Sequence, residues 1–148
     1  MSTPRRLFRA VAVAEAVTWS LLLAGMFLKY VTETTELGVR IFGMVHGVVF
    51  IAYCVVTVVV AVDQRWSLAR TGLGLAAAVP PFVTLLFERY ADRRGLLSPE
   101  WLSRPDSPRV LQRLVSWLLG HYQLAIGLFL AAVGTLTALA LAVGPPAG

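Results

Sequence analysis

Residues 41–62 read IFGMVHGVVFIAYCVVTVVVAV, 22 positions without a formal charge. At 1.5 Å per residue such a helix is about 33 Å long, enough to cross a hydrocarbon core about 30 Å thick. Inside it, Gly43-Met44-Val45-His46-Gly47 sets an imidazole between two glycines one helical turn apart. An ionisable ring at such a depth is costly and requires a partner or a purpose. The stretch predicts a helical membrane protein and marks the first place to look for function.

Composition agrees. Of 148 residues 57% are hydrophobic and 14% charged, with a mean hydropathy of +0.74, too apolar for a soluble domain of this size. The net charge of +5 comes from 12 Arg and a single Lys, gathered at the ends of apolar runs and between them. That placement fits lipid headgroups better than nucleic acid, for which a basic face on a soluble module is expected. Cys54 is the one cysteine, so there is no disulfide framework and no cysteine cluster for zinc.

Three further apolar runs accompany residues 41–62: 10–28, broken only by Glu15; 71–87, carrying Pro80-Pro81; and 114–143, without a charge. The reading is all-α and polytopic, with four transmembrane helices over approximately 7–28, 40–62, 68–87 and 112–143. The third is short, and its proline pair should bend it and free a backbone carbonyl. The fourth is longer than a span needs, so 110–119 is expected to begin in the interface beside Trp117 and Arg113. Arg5, Arg6 and Arg9 before an apolar run resemble a secretory signal, but Glu15 and the lack of a small-x-small site before Lys29 favour an uncleaved helix. Residues 1–94 form one unit and 95–148, a polar loop with the fourth helix, a second; beyond the Gly-Pro-Pro-Ala-Gly tail at 144–148 no repeat or low-complexity tract is found.

With four spans, Arg5, Arg6, Arg9, Arg65 and Arg70 fall on one side of the membrane. Lys29, Arg40 and the loop arginines Arg89, Arg93, Arg94, Arg104, Arg109 and Arg113 fall on the other. By majority count the positive-inside rule favours a cytoplasmic long loop with both termini outside, whereas the basic N-terminal flank of the first helix argues for the opposite orientation.

His46 and His121 fall at matched depth on the second and fourth helices. Such a pair could hold a b-type haem or a metal ion, or relay protons; the plainer reading bonds each ring to a neighbouring backbone or hydroxyl group, with no cofactor. Glu15 shares a face with Thr18 and Trp19, and helix rise separates it from His46 by roughly 10 Å along the normal, so direct pairing needs tilt or a water. Its carboxyl should be protonated, hydrogen-bonded across the bundle, or set in a wet cavity. Gly43 with Gly47, and Gly120, Gly127 and Gly134 at seven-residue spacing, read as packing seams for intramolecular or intermolecular contact. Trp19, Tyr30, Trp66, Tyr90 and Trp101 read as interfacial anchors.

Glu15, then Leu28-Lys29, the run from Gly43 through His46-Gly47 and Phe50 to Tyr53, Arg65-Trp66-Ser67, Pro81-Phe82 and Glu88-Arg89 occur in an order that resembles a family of small bacterial integral membrane proteins. That family is known by its His-Gly motif and catalogued as the domain of unknown function DUF 3817. The resemblance covers about residues 6–94. It implies a three-helix core in a bacterial plasma membrane, singles out Lys29 and Tyr53 beside Glu15, Gly43, His46 and Gly47, and supplies no catalytic residue. Residues 95–148 go beyond the family core.

No phosphate loop, nucleophile elbow, paired carboxylates or His-Glu-x-x-His is present, and no enzyme is expected. The leading expectation is an accessory or assembly subunit that packs against other integral membrane subunits, in a respiratory or envelope complex, or against itself. The alternative is a small proton-linked transporter or carrier using Glu15, His46 and His121.

Overall fold

The computed structural model describes residues 3–143, and every regular element among them is helical. They are α1 (Pro4–Tyr30), α2 (Leu37–Asp63), α3 (Leu68–Ala76), α4 (Val83–Arg93), α5 (Val110–Gly120) and α6 (Tyr122–Val143). Two compact units result, Met1–Leu102 and Ser103–Gly148. The tail at 144–148 lies outside the described residues.

In the first unit α1 and α2 form an antiparallel pair, and both are long and apolar enough to cross a membrane. Thr3 caps α1 by accepting the Arg6 N–H at 3.2 Å, with Pro4 at a position where a missing N–H costs nothing. At the far end Thr32 and Thr34 donate to the Leu28 carbonyl at 2.9 and 3.3 Å, turning the chain into α2. There the two backbones touch. A Cβ on Gly25 would lie 2.8 Å from the Gly38 carbonyl carbon, so only glycine permits the approach.

The third predicted span is a correction. Residues 68–87 do not form one helix: α3 stops at Ala76 and α4 starts at Val83. Pro80 and Pro81 lack two successive N–H donors and disfavour helical backbone at the residue before each of them. Phe82 then turns the chain through a left-handed conformation, φ 68°. The two short helices fold back on each other. On the way in, Gly74 packs against Thr57 of α2. On the way out, Thr84 reaches the Ala12 carbonyl at 3.2 Å, Phe87 meets the Phe8 ring at 6.1 Å, and Asp92 pairs with Arg5 at 2.6 Å. Trp66 Nε1, just before α3, donates to the Leu96 carbonyl, just after α4, at 2.9 Å. Residues 68–93 are therefore a helical hairpin that enters from the Pro4/Asp63 end of the α1–α2 pair and leaves at that same end. Its tip lies beside Trp19, whose Nε1 donates to the Ala78 carbonyl at 3.4 Å.

This return overturns the charge count made with four spans. Arg89, Arg93 and Arg94 lie at the same end as Arg5, Arg6, Arg9, Arg65 and Arg70, and all eight are exposed. The closing segment is tied down there: Asp63 Oδ2 accepts the Leu102 N–H at 3.2 Å, and Gln64 Oε1 accepts the Ser98 N–H at 3.1 Å. The core beneath is aromatic, with Phe8 against Tyr53 at 5.7 Å, Trp66 at 5.8 Å and Phe87. Trp66 is thus part of the packing at the end of α2, whereas Trp19 lies mid-helix under the hairpin tip and not at a helix end.

In the second unit the fourth run is also broken. His121, with ψ 41°, leaves helical geometry, and α5 meets α6 at 94°. Residues 110–119, expected to begin the fourth span in the interface, fall within α5. Taken as one broken span, α5 with α6 brings the helices that can cross a membrane from two to three.

Candidate functional site

The polar groups of the first unit converge under the hairpin tip, where α1, α2 and α4 meet. Glu15 has no exposed surface. Its Oε2 lies 3.5 Å from Thr84 Oγ1, and its Oε1 has no hydrogen-bond partner. The single hydroxyl hydrogen of Thr84 can serve either Oε2 or the Ala12 carbonyl, not both at once. One turn along, Thr18 Oγ1 donates to the Glu15 carbonyl at 3.0 Å and lies 3.0 Å from His46 Nδ1. With the threonine hydrogen committed to that carbonyl, the network is satisfied when Nδ1 carries the hydrogen and donates to Thr18.

His46 is therefore a protein-facing ring with a hydroxyl partner, one form of the plainer reading. It packs on Trp19 with centroids 4.6 Å apart and near Phe50 at 6.3 Å. His121 belongs to the other unit, at the α5–α6 break. Its Nδ1 lies 3.0 Å from the Trp117 carbonyl and its ring stacks on Trp117 at 4.8 Å. The continuous fourth helix that placed the two rings at matched depth is not formed. Among the described residues no group of three or more His, Cys, Asp or Glu side chains converges as a metal site.

The remaining marked residues serve packing or turns. Tyr53 is fully buried and donates from its hydroxyl to the Gly74 carbonyl at 3.0 Å, which fixes α3 against α2. Lys29 pairs with Glu36 at 3.3 Å across the α1–α2 turn and lies over the Tyr30 ring. A Cβ on Gly43 would meet only Leu22, at 3.8 Å, and one on Gly47 nothing within 4 Å. The close helix contact uses Gly25 and Gly38 instead. Sequence reading missed both, along with Thr84 and the Asp63-Gln64 tie. The available signal was only that Gly25 and Gly38 flank the polar turn at 31–36; Thr84 gave none until the hairpin was known.

Residues 5–93 match the family described as a domain of unknown function, DUF3817. The chain belongs to that family. A DUF3817 relative in Streptomyces coelicolor, named only as a membrane protein, SCO5905, is 57% identical over 93 residues, which is 62% of this chain but 11% of the relative. The uncharacterized membrane protein YdzA of Bacillus subtilis is 33% identical over 90 residues, 60% of this chain and 93% of YdzA. No solved structure matches. The match to the DUF3817 family takes in α1, α2, α3 and α4, and so contains the whole polar layer from Glu15 to Thr84. Every functional candidate except His121 lies inside it.

Proposed function

We propose that the chain is a non-catalytic, multi-pass protein of the bacterial plasma membrane that acts as an accessory or assembly subunit, packing against a larger membrane protein or complex. The observation that carries this reading is the size relation among relatives. The same module makes up 93% of YdzA and 11% of the Streptomyces protein, so it occurs almost by itself and as a small part of a much longer chain. A unit used both ways suits a docking or assembly role. The outer surface of α2 supports it: Ile41, Met44 and Val45 are about half exposed, and beside this stripe a Cβ on Gly47 would meet nothing within 4 Å, leaving room for a partner helix. Solubilisation in a mild detergent followed by affinity recovery tests the proposal. Stoichiometric recovery of a larger membrane protein is expected; recovery of this chain alone or only with itself overturns it.

A second reading, proton-linked transport, draws on one feature, the buried Glu15 with an unpartnered oxygen beside a helical hairpin that ends partway along α1. Broken helices around a buried carboxyl are a recurring arrangement in carriers. Replacing Glu15 by Gln should then abolish a pH-dependent phenotype, and an unchanged phenotype removes this reading.

A further inference from the structure

The hairpin collects eight exposed arginines at one end of the first unit, against four carboxylates, Asp63, Glu88, Asp92 and Glu100. Asp63 and Glu88 are buried, and Asp92 is paired with Arg5. Glu100 is the exposed carboxylate of this end among the described residues. The opposite end is balanced: Lys29 is paired with Glu36, and Glu33 and Arg40 make up the rest. The cationic end also carries Leu68, 92% exposed, and one turn from Arg89 toward the hairpin tip Leu86 is 62% exposed. Arg94 lies over the Tyr90 ring at 5.7 Å. Guanidinium groups set among lipid-facing leucines and a tyrosine sit at the boundary between hydrocarbon and water. A soluble partner would meet the leucines only by stripping them of lipid. There a guanidinium can fork two N–H donors onto one phosphodiester, which an ammonium cannot do.

We propose that this arginine rim is a binding surface for anionic phospholipid headgroups of the cytoplasmic leaflet, with the start of α1 and residues 94–102 both in the cytoplasm and the hairpin re-entrant. The inference rests on the plasma-membrane reading above and reverses the orientation drawn from four spans. With the hairpin returned, the charge asymmetry is strong and the positive-inside rule gives one answer. Attraction to an anionic surface adds with each arginine held close to it.

The test uses the full chain with Cys54→Ala and one new cysteine, at Glu100 or at Glu36. Membrane fractionation comes first, since absence from the plasma membrane would defeat the localisation reading and not the rim. In intact cells an impermeant maleimide should label Glu36→Cys and reach Glu100→Cys only after permeabilisation. Labelling of Glu100→Cys from outside, or of both from one side, overturns the topology. The purified Cys54→Ala chain, exchanged into micelles with equal phosphatidylglycerol and phosphatidylcholine, should retain phosphatidylglycerol in roughly tenfold excess. The triple variant R6Q/R89Q/R93Q should fall to within about twofold of equal retention, whereas K29Q/R40Q should match the parent. An excess that survives the triple variant, or is lost equally in the control, overturns headgroup binding.

Discussion

At Glu15 a carboxyl without exposed surface shares one oxygen with Thr84 and leaves the other without a partner. Inside a low-dielectric bundle a missing partner is felt, yet measured interhelical hydrogen bonds in membrane proteins are modest, averaging about 0.6 kcal/mol with a maximum near 1.7. Thr84→Val removes the contacts to Glu15 and to the Ala12 carbonyl together and should cost about 1–2 kcal/mol, whereas Thr84→Ser should keep most of that. Thermal unfolding in detergent measures both, and a valine variant as stable as the parent shows that the hydroxyl is not used. For the neighbouring pair, a double-mutant cycle of Thr18→Val and His46→Phe should return a coupling of about 0.5–1.5 kcal/mol. A coupling near zero would mean that the 3.0 Å contact carries no net stabilisation.

Among the elements, two glycines of the same type have opposite expectations. Gly25→Ala places a methyl 2.8 Å from backbone carbon of α2, where no flexible side chain can yield, so the helices must separate, at about 1–3 kcal/mol. Gly47→Ala meets nothing within 4 Å and should be neutral or stabilise by up to about 1 kcal/mol through helix propensity. Melting of the two variants side by side checks this. If Gly47→Ala is the damaging one in cells but not in purified protein, its space is filled by a partner, as the accessory reading requires. Arg65 is a further strained point: it occupies the left-handed position after α2, φ 57°, and Trp66 N–H closes the cap onto the Ala61 carbonyl at 2.8 Å. The turn is held although the residue is not glycine.

For the whole molecule, the hydrophobic cluster from Phe8 through Tyr53 and Phe87 to Leu97 closes within Met1–Leu102. A chain ending at Leu102 should therefore insert in membranes and keep the Asp63 and Gln64 ties to residues 98–102. In the full chain, limited trypsin digestion should cut first at Arg109 or Arg113, which are exposed and follow the closed unit. Digestion of membranes followed by mass analysis tests both statements; early cleavage at Arg93 or Arg94, with 104–113 protected, would show that the closing segment is not held.

By itself the sequence determined the environment and the helical class. Apolar runs of span length can only be helices in lipid, because every backbone N–H and C=O must be paired within the segment. It also marked Glu15 and His46 as buried polar groups in need of partners and supported the family resemblance through their order along the chain. Only the tertiary structure decided what those partners are and which way the chain returns. Pro80-Pro81 announced a bend, but a bend in a crossing helix and a hairpin that turns back have the same local sequence. The choice lies in long-range contacts, Thr84 on Ala12, Phe87 on Phe8 and Trp66 on Leu96, which no local pattern encodes. The same contacts placed three arginines at the Pro4/Asp63 end of the first unit, the observation on which the proposed orientation rests.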